Sequence, residues 1–315
     1  AHRDLIERES DRCAKYALPY IFNNSAVVLG AEYYGETGAL RYNFVGIGGE
    51  SSKLRWLTNY YHEQDFSFLE PIFDKIFLQI LKPWYGQPVT KTYRPFEEHD
   101  PTTTFFAHIY QTVKELFDIS ADDQYIYSEE LNKEILNPYW FLKHEYHLRR
   151  EKTLRYPTGI CHGDLNMQNI LLDEKMNVYL IDFSETHPRS IISDFARLEA
   201  IFLVDNAPIE NQIDLDAYLK FVADFYAVDI LSSPGSFTYT GIHQAKVQKH
   251  YALAKKMRQY ASSSVFDNQD ALPYYISLLE WVLPIVCYGI PIPQRKLSLI
   301  VSSILCQKLL THPFS

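Results

Sequence analysis

The sequence predicts an α+β chain in two unequal parts, a small β-containing N-terminal part followed by a large helical one. Three observations carry this expectation. Two strand-like runs, AVVLGAEYY (26–34) and ALRYNFVGI (39–47), are bounded by Asn23, Asn24, Gly35 and the glycines of GIGGE, which suggests a hairpin. From residue 53 onward the apolar period is mostly helical. One later pair of apolar runs, NILLD and NVYLID, flanks the short turn EKM and reads as a second hairpin within the helical part. The expected division is 1–48 for the small part and 49–315 for the large one, joined near residues 46–53.

The elements follow in order. DLIERESDRCAKYAL (4–18) reads as a helix of mixed charge, ahead of the first hairpin. KLRWLTNYYHE (53–63) and FSFLEPIFDKIFLQILKPWY (66–85) are helical, and Pro71 fits the second only near its first turn. Residues 86–104 form a loop rich in Pro and Thr. Residues 104–118 are helical, and so are 129–152, with a break near Pro138. After the second hairpin, helices start at SDFARLEA, DLDAYLKFVADFYAV, QAKVQKHYALAKKMRQYA and QRKLSLIVSSILCQKLL, with a Pro-interrupted apolar helix before the last.

A length of 315 residues suits two lobes, and 47% hydrophobic content supplies a sizeable core. The net charge of −9 argues against sequence-independent binding to nucleic acid, which needs clustered Lys and Arg. Four cysteines form no CxxC pair, the usage of a reducing compartment. The most apolar stretch, 276–290, contains Glu280 and Pro284 and is too short to span a bilayer. The expectation is a soluble, cytoplasmic chain without a membrane span, signal peptide or lipid anchor.

The chemistry gathers at His162-Gly163-Asp164-Leu165-Asn166-Met167-Gln168-Asn169, which fits H-x-D-x-x-x-x-N, and at Asp182, eighteen residues past Asp164. The hairpin between them would bring Asp182 back beside Asn169. Phosphoryl transfer needs these residue types. The transferred group carries dense negative charge, and the protein mainly positions and neutralises it. Magnesium takes hard oxygen ligands, usually one or two from protein. Asp182 offers a carboxylate and Asn169 an amide oxygen. Asp164 would orient the acceptor hydroxyl and accept its proton. His162 would brace the loop. Asp194, opening DFARLEA, can cap backbone N–H groups and hold the same loop.

HGDLNMQNILLD followed by VYLIDFSET resembles the protein-kinase-like phosphotransferases, especially the aminoglycoside, choline and fructosamine kinases. SDFARLEA after LIDFSET also resembles kinase-like domains termed ternary-complex-associated domains of bacterial conflict systems. The resemblance is specific over about residues 158–200. It implies a protein-kinase-like bilobal fold, Mg2+ with ATP or GTP as co-substrate, and a small-molecule hydroxyl as acceptor. It also implies an N-lobe lysine paired with a helix glutamate. Glu9 or Glu7 on the first helix would be that glutamate, with the lysine expected upstream of Ala1 and the N-lobe therefore truncated. Phe44, Val45, Gly46 and Ile47 would form the hinge facing the adenine. Ser184 stands where a protein kinase has glycine, and only twelve residues separate Asp182 from Asp194. No long activation segment fits there, which favours a small-molecule kinase over a protein kinase.

Other signals are weaker. His144 and His147 are three apart, whereas the helical zinc motif needs four. GIGGE lacks the Lys-Ser/Thr of a phosphate-binding loop and reads as a hinge. The acids Asp205, Glu210, Asp214 and Asp216 follow the catalytic hairpin and suit either a solvated face or a cationic substrate. Two functions are carried forward. One is a magnesium- and nucleotide-dependent phosphotransferase. The other is a non-catalytic kinase-like module of a larger bacterial protein that binds nucleotide or a protein partner.

Overall fold

A computed structural model describes residues 2–43, 54–102, 107–265 and 270–311. The expected hinge residues Phe44, Val45, Gly46 and Ile47 lie outside them. The chain begins with α1 (Arg3–Arg12), continued by further helical turns to Ile21. Next come β1 (Val28–Tyr34), β2 (Thr37–Tyr42), the short β3 (Arg55–Trp56), α2 (Leu57–Glu63), α3 (Phe66–Lys75) and β4 (Val89–Tyr93). Then follow α4 (Ile109–Phe117), β5 (Tyr125–Ser128), β6 (Lys133–Leu136), β7 (Leu154–Cys161), β8 (Ile170–Leu172), β9 (Val178–Leu180) and β10 (His187–Ser190). The last are α5 (Ser193–Ala200), α6 (Gln212–Tyr226), α7 (Gln244–Ser264), α8 (Leu272–Val282) and α9 (Ile292–Thr311). The fold is α+β, with small antiparallel sheets ordered β1-β2, β10-β7-β4, β3-β8-β9 and β5-β6.

The chain forms two compact units, residues 1–90 with 157–194, and residues 91–156 with 195–315. This is a different cut from the expected one at 48/49. The 162–169 loop and the β8–β9 hairpin group with the N-terminal residues because hydrogen bonds tie them there. Ala26 N donates to Leu180 O at 3.0 Å and Asn24 Nδ2 to Val178 O at 2.9 Å. Arg55 of β3 pairs with Leu172 of β8. In the same unit β1 and β2 form the expected hairpin, turning at Gly35, whose φ of 59° suits glycine.

The second unit is built on helices. Asn211 caps α6 by accepting from Asp214 N at 3.0 Å. Helix α8 ends where Pro284 cannot continue it. In the core a buried ion pair sits among aromatic rings. Arg258 Nε and Nη2 donate to the Glu199 carboxylate at 2.7 and 2.8 Å. Tyr226 and Tyr274 donate to the same carboxylate at 3.0 and 2.9 Å, and both residues of the pair are 0% exposed. Burial works against the Arg258 charge, but Glu199 overrides it and holds the guanidinium pKa well above its usual value.

Three sequence expectations need correction. Residues 129–137 are not helical. They form the β5–β6 hairpin, turning through Asn132 at φ 49°, and Pro138 opens a helical segment instead of breaking one. Asn137 fixes this junction. Its amide donates to Ser120 O and Asp123 O while its oxygen accepts from Tyr139 N. The 86–104 loop contains β4 and a helical turn at Pro95–Glu98. Pro71 lies inside α3, beyond its first turn, on an exposed face.

Arg258→Met leaves Glu199 buried without its counter-charge. The expected loss is about 3–5 kcal/mol of unfolding free energy in denaturant titration. Adding Glu199→Gln, which removes the stranded charge and keeps an acceptor for both tyrosines, should recover part of it.

Candidate active site

The site forms where β7 ends. His162 N and Gly163 N donate to Asp194 Oδ2 and Oδ1 at 2.8 and 3.0 Å, and Tyr85 OH donates to Oδ2. Asp194 is 1% exposed, so these bonds replace its water. Burial and the Asp194 charge push the Tyr85 hydroxyl pKa well up, which keeps it a donor. The His162 ring donates from Nε2 to Ile181 O at 3.0 Å and lies 5.4 Å from the Phe183 ring. His162 O accepts from Thr186 Oγ1 at 3.0 Å. Gly163 has φ 85°, and a Cβ there would come within 2.1 Å of Glu185 O. Only glycine fits.

Beyond Gly163 the loop holds itself. Asn166 Oδ1 accepts from Gln168 N at 2.8 Å and Asn169 N at 3.2 Å, while its amide donates to Asp164 Oδ2 at 3.2 Å. Asn169 Nδ2 donates to Asp164 O at 2.9 Å. Its side-chain oxygen has no partner among the described residues.

Strands β8 and β9 then bring the chain back. They pair from Ile170↔Leu180 to Leu172↔Val178, and the turn closes through Met176 at φ 59°. One further bond, Ile181 N to Asn169 O at 3.1 Å, sets Asp182 next to Asn169. Asp182 is exposed, sits at φ 62°, and accepts from Ser184 Oγ at 2.8 Å. Phe183 is buried against Trp84 and His162.

Helix α1 supplies the third side. Glu9 is 4% exposed, accepts from Tyr42 OH at 3.1 Å, and lies close to Asp182. Burial pushes its pKa up to about 7; the Phe183 backbone N–H opposes this and the Asp182 charge adds to it. One Glu9 carboxylate oxygen is buried without a hydrogen bond. Glu7 points elsewhere, pairing with Arg3 at 2.8 Å on the surface. A cavity of about 500 Å³ opens here, lined by Ile6, Glu9, Leu40, Tyr42, Leu171, Ile181 and Asp182 among others. Its walls are mostly apolar, with Glu9 and Asp182 as the acids among them.

Among the described residues, no three His, Cys, Asp or Glu side chains cluster as a closed metal cage. The donors at hand are the Asp182 carboxylate and the uncommitted Asn169 amide oxygen. That set suits magnesium, which keeps water and phosphate ligands alongside one or two protein oxygens.

The acids considered for a cationic substrate lie in the second unit, and two of them, Asp214 and Asp216, have local duties. Asp214 accepts from Glu210 N at 3.2 Å, and Asp216 accepts from Gln212. Sequence reasoning missed Tyr85, Thr186 and Tyr42. Thr186 was open to notice, four residues past Asp182; the hydroxyl partners of Asp194 and Glu9 come from far along the chain.

A family model described as Ternary complex associated domain 9 matches residues 110–234. The matched range holds Asp164, Asn169, Asp182 and Asp194, and it supports the resemblance carried by LIDFSET and SDFARLEA. Among solved structures, choline kinase LicA from Streptococcus pneumoniae is similar at 14% identity, with a TM-score of 0.42 over 96% of this chain and 83% of that one. That likeness is too slight to argue from. No curated protein matches the sequence.

Two outcomes follow from this geometry. Asp194→Ala strands two buried backbone N–H groups and the Tyr85 hydroxyl. Each unsatisfied group costs about 1–3 kcal/mol, so the thermal midpoint should fall by many degrees. Glu9 has a folded pKa of about 7 against an ordinary 4.5. The unfolded chain therefore releases this proton first, and stability falls as pH rises from about 4.5 to about 7, by roughly 3 kcal/mol at most. Without nucleotide or divalent ion, Glu9→Gln should remove that component and melt higher than the parent chain at pH 8.

Proposed function

We propose that the chain is a kinase-like phosphotransferase domain, moving a nucleotide γ-phosphoryl to a hydroxyl of a small molecule. The observation that carries this is the bond from Ile181 N to Asn169 O, 3.1 Å long. It gathers one carboxylate and one amide oxygen beside Asp164, in a loop braced by Asp194. Coincident turn residues would not need a buried carboxylate spanning two successive backbone N–H groups.

In this proposal Asp164 orients the acceptor hydroxyl and takes its proton as the new bond forms. Asn169 and Asp182 would hold Mg2+, which supplies neutralisation of phosphate charge when bound. His162 and Asp194 keep the loop in shape. The apolar walls at Leu40, Leu171 and Ile181 receive the base of ATP or GTP, and Phe44–Ile47 remain the proposed hinge beside it. Glu9 is the proposed partner of a cation near the phosphates. The acceptor is a small hydroxyl compound, and a cytoplasmic setting suits the nucleotide supply.

A second reading is a non-catalytic module that binds nucleotide or a protein partner. One observation favours it. Among the described residues no lysine or arginine pairs with Glu9, whose side-chain partner is the Tyr42 hydroxyl.

Asp164→Asn separates the two. With ATP labelled at the γ-phosphate, magnesium and a panel of small hydroxyl compounds, the parent chain should label an acceptor or release phosphate. The variant should lose about 10²- to 10⁴-fold of that rate and bind nucleotide as before. Binding without transfer in the parent would favour the module. Unchanged transfer in the variant would remove Asp164 from the mechanism.

A further inference from the structure

Helix α1 carries two arginines that the proposed chemistry leaves without a task. Arg8 and Arg12 stand four apart, on one helix face. Both reach the segment just after Asp182. Arg8 Nη1 lies 2.8 Å from Glu185 Oε1, and Arg12 Nη1 lies 3.4 Å from Oε2. Arg12 also donates to the backbone carbonyl of Ser184. Each carboxylate oxygen thus meets its own guanidinium, and one guanidinium also holds the main chain.

As a contribution to fold stability this network counts for little. The Arg8 and Glu185 side chains are each 37% exposed, and exposed pairs contribute about 0–1 kcal/mol. Its position matters more. The backbone carbonyl of Glu185 is the group against which Gly163 is seated, with no room for a Cβ. Its neighbour Thr186 donates to His162 O. Three residues before it, Asp182 sits at φ 62°, a backbone conformation that persists only when its surroundings enforce it. The same helix presents Glu9 beside Asp182. Residue 185 therefore touches the catalytic loop through its backbone and α1 through its side chain.

We propose that Arg8, Arg12 and Glu185 form a clamp that fixes the 182–186 segment between α1 and the catalytic loop. The clamp positions Asp182 for the metal–nucleotide complex. Its functional half rests on the phosphotransferase reading; its structural half does not. These are positioning residues, since none touches substrate.

The test uses the whole chain with Glu185→Gln and with Arg8→Ala/Arg12→Ala. Amide hydrogen exchange is followed in the peptide over 181–187, and ATP binding is measured by calorimetry with and without magnesium. Exchange in that peptide should rise about tenfold or more, and ATP affinity in magnesium should fall about tenfold or more, a loss on the scale seen when the support behind a metal ligand is removed. Metal-free ATP binding and the far-UV spectrum should stay as in the parent. Arg12→Lys keeps the charge but not the forked donor, and should fall between parent and double variant; it also decides the matter if the double variant unfolds. Unchanged exchange overturns the clamp whatever the chain's activity. Faster exchange with unaltered magnesium–ATP affinity overturns the positioning role. A parent chain that binds neither ATP nor GTP in magnesium overturns the phosphotransferase reading and the functional half with it, while exchange still decides the structural half.

Discussion

The candidate site depends on one buried carboxylate. Asp194 takes the backbone N–H groups of His162 and Gly163 and the hydroxyl of Tyr85. Those two amides belong to a stretch that has just left β7 and has no ladder to satisfy it. Without an acceptor there, the chain would have to expose them or regularise its path. A regular path would not admit Gly163 at φ 85° against Glu185 O, and Asp164 would leave its place. The carboxylate thus lets an irregular loop stay buried.

The rest is built outward in short steps. Asn166 and Asn169 satisfy the loop's next amides and carbonyls. The β8–β9 hairpin converts sequence distance into proximity, and Ile181 N closes on Asn169 O. No step uses a long flexible side chain. Short polar groups lose little rotamer freedom when fixed, so a site made of Asp and Asn can be ordered at small entropic cost.

What was legible in the sequence was local. The motif, the β8–β9 hairpin and the helices after Asp194 repeat within windows of a few residues, and their apolar period was enough to find them. The stretch ELNKEILNP misled for the same reason. Its Glu, Leu and Lys favour a helix, yet Asn137 holds Ser120 O and Asp123 O, and that tertiary demand overrides propensity. Strands β4, β7 and β10 carry Pro and Thr and pair with distant partners, so no short window reveals them. Tyr85, Arg8 and Arg12 were invisible as site residues because their partners, Asp194, Ser184 and Glu185, lie over a hundred residues away.

The left-handed backbone at Asp182 restricts what its neighbourhood can tolerate over evolutionary drift. Asn and Gly enter that conformation with little penalty, whereas a residue such as Ala or Val strains it by roughly 1–2 kcal/mol. Loss of the carboxylate by way of Asn would leave a folded chain with the same pocket and a different charge. Loss by way of Ala would disturb the chain path first. A descendant of this domain that had lost this carboxylate but kept its shape is therefore expected to carry Asn or Gly at this position.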